Sequence, residues 1–282
     1  MKKGLILEGG AMRGLFTAGV TDVLMENGIE FDGAVGVSAG AAFGCNYKSR
    51  QIGRTLRYNV KYCRDKRYFG LYSYLTTGNL FSKDFCYHEI PEKLDIFDND
   101  AFEKNPMEFY VVCTNVETGE AVYKKCEKAT GDFLEWIRAS ASLPFVSEIV
   151  KVGGYKLLDG GMADSVPLKF FEGLGYTKNV VILTQPKGYK KKEMKINFPF
   201  KMALRKYPKM IEALKNRHKM YNDNHSYIEE REKSGDVFVI RPDDILPIKR
   251  TSKNPELLKK VYEVGRRVAE DNLEKLKEYL KN

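Results

Sequence analysis

The chain has 282 residues, 43% of them hydrophobic, and 47 lysines and arginines against 38 acidic residues give it a formal charge of +9. That is enough apolar material for one large core, and the positive balance favours an anionic partner, a phospholipid surface or a nucleic acid, without choosing between them. The five cysteines are odd in number, widely spaced and never in C-x-x-C spacing, which suggests neither a disulfide framework nor a zinc site, and no run approaches the roughly 20 apolar residues that span a bilayer.

At the amino terminus, residues 4–7 form an apolar stretch that Glu8 and two glycines cut off. It is too short for a signal h-region, so a cytoplasmic chain is expected, with any membrane contact peripheral. Residues 4–7 read as a strand, and residues 15–26 carry Leu15, Phe16, Val20, Val23 and Leu24 at helical spacing with Asn27-Gly28 as the stop. Residues 34–37 form a second strand. Strand, glycine turn, helix, strand, sharp turn and helix in succession build a parallel sheet covered by helices, an α/β fold. Residues 50–74 show helical spacing rich in arginine, lysine and tyrosine, whereas residues 80–102 read as irregular chain wrapping the sheet, with no chemistry assigned. Residues 109–114 and 120–124 read as a hairpin through Glu117-Thr118-Gly119. Helix is expected around residues 132–139, a short strand over residues 155–158, and a buried central strand over the apolar residues 180–184. Lysines and arginines interleaved with Phe198, Phe200 and Tyr207 then make the segment from Lys187 to Lys219 the most basic of the chain. A last strand (residues 237–240) and a helix (residues 255–280) complete it. The whole reads as one domain: core motifs over about residues 4–185, a basic lid-like segment over about 186–235, and the final strand and helix over about 236–282.

Gly36-Val37-Ser38-Ala39-Gly40 matches G-x-S-x-G, the turn that thrusts a serine out of a strand end into the start of a helix. Ser38 is therefore a candidate nucleophile, against the plainer reading of a helix N-cap. Between the first strand and first helix lies Glu8-Gly9-Gly10-Ala11-Met12-Arg13-Gly14, whose small residues let backbone N–H groups face an anion. A dinucleotide fingerprint would want a glycine where Ala11 stands, and Asp32 precedes the second strand where a ribose-binding acid should close it. With Ser38 at the adjacent strand end, the loop Gly9, Gly10, Ala11, Met12, Arg13, Gly14 reads better as an oxyanion hole. Arg13 has two readings: it holds a substrate phosphate, or it pins the loop through a carboxylate.

A serine nucleophile needs a base. Ser38, Asp159 and His218 or His225 run in the chain order of an α/β-hydrolase triad, but only one strand precedes Ser38, and His218 and His225 lie in the lysine-rich stretch where a solvated histidine is expected. His88 has no supporting context. Asp159 ends a strand and is followed by Gly160 and Gly161, which would admit close backbone approach; it also reads as an ordinary turn aspartate. Spacing alone leaves the base open.

Taken together, Glu8 to Gly14, Gly36 to Gly40, and Asp159-Gly160-Gly161 resemble the patatin-like phospholipase family, and the stretches around Cys113 to Glu120, Arg138 to Pro144 and Leu158 to Pro167 are similar to it as well. The resemblance covers roughly residues 4–185. It implies a three-layer α/β/α sandwich on a mainly parallel sheet, with neither metal nor cofactor. Its chemistry would be hydrolysis of phospholipid or related carboxylic esters by a Ser38-Asp159 dyad through an acyl-enzyme, N–H groups near Gly10, Ala11 and Arg13 holding the oxyanion. The chain departs from the family where Glu8 replaces the usual aspartate and Ala11 the third glycine; an alanine still offers an N–H unless the loop needs a positive φ there. Two other readings stand: a Ser-Asp-His esterase, and a non-catalytic module holding a phosphoryl ligand or nucleic acid. No nucleic-acid motif is present, so none is expected as partner. The basic segment reads equally as a lid, as a docking surface for an anionic membrane, and as a solvated helical face.

Overall fold

The computed structural model describes residues 1–281. In chain order these form β1 (Lys2–Leu7), α1 (Gly14–Glu26), β2 (Gly33–Val37), α2 (Ala39–Lys48), α3 (Arg54–Tyr62), α4 (Leu71–Thr77) and α5 (Asn99–Lys104). There follow β3 (Glu108–Asn115), β4 (Ala121–Lys125), α6 (Phe133–Ala141), β5 (Val150–Val152), β6 (Tyr155–Asp159), α7 (Leu168–Gly173) and β7 (Tyr176–Ile182). The chain ends with α8 (Phe198–Ala203), α9 (Pro208–Lys233), β8 (Val237–Ile240) and α10 (Pro255–Lys281). The eight strands form one sheet in the order β5-β6-β3-β2-β1-β7-β8, with β4 paired to β3. The pairs among β3, β2, β1, β7 and β8 are parallel.

Strand alternation sets the layers. Successive side chains of a strand point to opposite faces, so Leu5 and Leu7 of β1 join the core shared with α1, α2, α6 and α10, while Ile6 joins the one shared with α7 and α9. Because both faces are covered, the inner strands carry unbroken apolar runs; β2 is buried at all five positions. This is the expected α/β/α sandwich. Strand β7 begins earlier than its apolar run announces, at Tyr176, and lies between β1 and β8, second from the edge, so residues 180–184 are buried but not central.

The chain between residues 80 and 102 is not irregular. It contains a wide-turned π-helical segment, Phe85–Leu94, and then α5. Pro91 removes an N–H from this segment and disfavours an α-helical ladder; the Asp95 N–H instead reaches back five residues to the Ile90 carbonyl (2.8 Å). The basic stretch also hides the long helix α9, whose buried residues Met210, Leu214, Tyr221, His225 and Ile228 recur on one face.

Register dictates where the strand ends meet. Strand β2 runs along one side of β3 and stops with Val37 opposite Val112, while β6 arrives antiparallel and stops with Asp159 opposite Cys113. Since β4 occupies the other side of β3 from Tyr110 to Thr114, β2 and β6 share one side and end head to head.

Helix α10 packs across α1 with almost no gap: a Cβ on Gly265 would overlap the Phe16 carbonyl, and one on Gly19 the Tyr262 carbonyl. Gly265→Ala must therefore push the helices apart. It is expected to cost about 1–3 kcal/mol, read as a lowered urea midpoint with unchanged slope; an unchanged midpoint would show that the crossing tolerates a methyl group.

Candidate active site

Between β2 and α2 the chain turns at Ser38 with φ 55° and ψ −121°, a conformation that costs a non-glycine residue on the order of 1–3 kcal/mol. The turn is possible because its neighbours lack side chains. A Cβ on Gly36 would lie 2.5 Å from the Gly40 carbonyl, one on Gly40 would overlap the Leu7 carbonyl, and one on Gly9 would lie 2.9 Å from the Ser38 Cβ. The Ser38 side chain makes no capping hydrogen bond to α2. Its backbone N–H donates to Ser140 Oγ (2.8 Å), and Ser140 in turn donates to the Val112 carbonyl (2.6 Å), which ties the turn to β3.

Asp159 is 2% exposed. Its Oδ1 accepts from the Gly161 N–H (2.8 Å), its backbone N–H donates to the Ser142 carbonyl (2.8 Å), and its carbonyl accepts from Thr114 Oγ1 (2.8 Å). Gly160 lets this turn press on β3, since a Cβ there would overlap the Val112 carbonyl. Burial raises the Asp159 pKa above the usual aspartate range; Arg217, the hydrogen-bonded Ser38 and the Gly161 N–H pull the other way without cancelling it. Ser38 and Asp159 thus share one polar cavity.

The glycine loop closes one side of that cavity. Residues Ala11–Arg13 make a single 3₁₀ turn in which the Arg13 N–H is bonded to the Gly10 carbonyl (3.1 Å) and the Gly14 N–H to the carbonyls of Ala11 and Met12. Arg13 and Gly14 therefore cannot offer their N–H groups to a ligand; among the described residues those of Gly10 and Ala11 have no protein partner. Ala11 sits at φ 50°, so the loop does need the left-handed conformation that a glycine would adopt at ease. Met12 points into the core instead. Glu8 anchors the loop from below: at 1% exposure it accepts from the Thr184 N–H (2.6 Å) and Tyr221 Oη (2.6 Å), and its Oε1 lies 3.8 Å from His225 Nε2. Burial works to raise the Glu8 pKa, but His225, Tyr221 and Thr184 outweigh it and hold the carboxyl below its usual range.

His225 is thus not solvated, as its lysine-rich context suggests, but buried at 3% exposure and stacked on Tyr221 (4.3 Å). It faces Glu8 and is absent from the described lining of the cavity that holds Ser38 and Asp159. His218 bonds the Lys215 carbonyl through Nδ1 (2.9 Å), and His88 pairs with Glu92 (3.1 Å). Asp32 caps the opposite end of the sheet, accepting from the Lys3 N–H (2.6 Å), which leaves the dinucleotide reading without its acid. No group of three His, Cys, Asp or Glu residues placed to hold a metal occurs among the described residues.

Three features escaped the sequence. An apolar cavity opens beside Ser38 between α2, α3, α6 and the π-helical segment, walled by side chains such as Phe43, Tyr58, Tyr87, Ile90 and Ile137. Ala11, Ser38 and Leu143 line both cavities. Arg217 donates from α9 to the Gly161 carbonyl (2.7 Å), on the same helical face as Leu214, Tyr221 and Ile228. Lys191 turns inward over the Tyr221 ring (4.0 Å), and burial, with Arg217 and Arg250 nearby, pulls its pKa down to about 7.

Fold and site together are of the α/β class in which a serine stands on a strand-to-helix turn beside a glycine-rich loop. The chain belongs to the patatin-like phospholipase family, whose sequence model matches residues 5–171; residues 207–281 match a second model, described as a domain of unknown function, DUF6363. The uncharacterized protein YjjU of Escherichia coli strain K12 is 30% identical over 191 residues, 64% of this chain and 52% of YjjU. The lysophospholipase nte1 of Aspergillus niger is 30% identical over 183 residues, 61% of this chain and 11% of that protein. The chain therefore spans about half the length of one relative and about a tenth of the other. VipD from Legionella pneumophila superposes with a TM-score of 0.48 and 14% identity over 97% of this chain and 67% of VipD.

Because Ala11 holds a left-handed conformation, Ala11→Gly is expected to stabilise the fold by about 1 kcal/mol, seen as a raised urea midpoint. A lowered midpoint would mean that the Ala11 methyl packs more favourably than its backbone is strained.

Proposed function

We propose that the chain is a serine acyl hydrolase acting on carboxylic esters of lipids, with Ser38 as nucleophile and Asp159 as general base. One observation carries this reading: a serine at positive φ faces a buried carboxylate at the junction of an apolar cavity and a polar one. An acyl chain lying in the apolar cavity brings its ester carbonyl to Ser38. Asp159 accepts the hydroxyl proton as the serine attacks. The developing oxyanion takes hydrogen bonds from the Gly10 and Ala11 N–H groups, donors already fixed in place before substrate arrives. Collapse expels the alcohol, which takes the proton held by Asp159, and leaves an acyl-enzyme; water then attacks it with Asp159 again as base, and the second collapse frees the fatty acid as Asp159 returns the proton to Ser38. The scheme calls on no metal or cofactor.

Burial suits Asp159 to this role, because a base whose pKa is raised toward the working pH is a stronger proton acceptor. Family membership and the name of the nte1 relative favour phospholipid or lysophospholipid substrates. No helix among the described residues is long and apolar enough to cross a membrane, and we assign contact with a lipid surface to the basic segment around α8, where Phe198 and Met202 stand exposed among lysines. The Ser-Asp-His alternative draws no support from His225, which is engaged with Glu8.

Asp159→Asn should fold and lose at least about 10³-fold in kcat/KM on a lipid ester, and the acid limb of the wild-type profile should lie above the ordinary aspartate range, following the raised pKa. His225→Asn should lose less than about tenfold. Full activity in Asp159→Asn, or its loss in a folded His225→Asn alone, would overturn the dyad.

A further inference from the structure

Four cations converge on the polar cavity from four separate segments: Arg13 from the glycine loop, Lys191 from the chain after β7, Arg217 from α9 and Arg250 from the chain before α10. Three of the four lie beyond the residues matched to the patatin-like family. Among the described residues none of them makes an ion pair within 4 Å, although the chain has 38 acidic residues to offer. The Arg13 Nε is buried with no partner at all. Two carboxylates share the cavity, and both are committed: Glu8 to Tyr221 and Thr184, Asp159 to Gly161 and Ser38. Like charges gathered this way repel one another at a cost that Glu8 and Asp159 offset only in part, and two or more guanidinium groups match the oxygen fork of a phosphate.

We infer that the polar cavity is a subsite for the phosphate monoester of an acylglycerol phosphate, whose acyl chain occupies the apolar cavity on the other side of Ser38. The inference rests on the hydrolase reading, which makes the two cavities the two ends of one substrate. It also decides between the two roles open to Arg13, since no carboxylate pins that side chain. Four basic side chains set against two carboxylates leave the cavity net positive, and an arriving phosphate favours the charged form of Lys191, whose pKa is drawn down to about 7 in its absence. A phosphocholine headgroup fits poorly: its quaternary ammonium would enter a cluster of cations and find neither carboxylate free. The seven residues from Lys187 to Glu193 place only Lys191 in the cavity. Lys191 takes this inward place over the Tyr221 ring despite the desolvation it meets there.

Binding of short-chain, ether-linked glycerolipids, which have no ester to cleave, separates this from catalysis. By titration calorimetry, the alkylglycerol phosphate should bind wild-type protein at least about tenfold tighter than the alkylglycerophosphocholine of equal chain length. Lys191→Gln with Arg250→Gln should abolish that preference, and Lys191→Arg should keep it should the double variant fail to fold. Inorganic phosphate should bind much more weakly than the lipid. Equal affinity for the two headgroups, a preference untouched in the folded double variant, or inorganic phosphate binding as tightly as the lipid would each overturn the subsite. The ester counterpart provides the separation: cleaved without headgroup preference, it removes this inference alone; bound with the preference yet left uncut, it removes the hydrolase reading alone.

Discussion

The site depends on one crowded turn. Val37 must end its strand, Ser38 must take a left-handed conformation and Ala39 must begin a helix within three residues, and this is possible only where Gly9, Gly36 and Gly40 let three backbones touch. The strain at Ser38 is held from several directions: Ser140 secures its N–H, the Leu7 carbonyl backs Gly40, and α1 fits against α2 because Gly14 leaves room for Ala39 and Phe43. What this geometry achieves is exposure. It lifts the hydroxyl off the end of β2 to the point where β6 delivers Asp159 from the opposite direction.

The same point is where the two layers part. On one side lie α2, α3, α6 and the π-helical segment with the apolar cavity; on the other, α9 and the chain flanking it bring Lys191, Arg217 and Arg250. In the proposed reading a lipid ester, itself divided between apolar chain and polar head, would span the two cavities. The carboxy-terminal part of the chain is built into this arrangement. Strand β8 extends the sheet beside β7, α10 clamps α1 through Gly19 and Gly265, and Tyr221 and His225 of α9 hold the Glu8 carboxylate beneath the glycine loop.

Local pattern was legible wherever the determinants are local. Every strand but the three-residue β5, the hairpin turn at Gly119 and the G-x-S-x-G turn follow from alternation, turn residues and glycine spacing, and the loop whose family would carry a glycine at position 11 does hold Ala11 at a positive φ. What stayed hidden was set by distant partners. Nothing near Asp159 in sequence says that its strand stops head-on against β2, because that is a matter of register on β3. The lysines of α9 masked an inward face on which Arg217, Tyr221 and His225 alternate with apolar residues, so a buried histidine read as a solvated one. The π-helical segment carries a proline and no clean period, and with it the wall of the apolar cavity went unseen.

The proposed chemistry requires the fold to activate one particular hydroxyl. The most direct measurement is reaction with a fluorophosphonate probe followed by peptide mapping of the adduct by mass spectrometry, since only a serine with a working base and oxyanion hole reacts readily. A single adduct on Ser38 is expected, absent from the folded Ser38→Ala protein. An unlabelled wild-type chain, or an adduct on another residue, would contradict it.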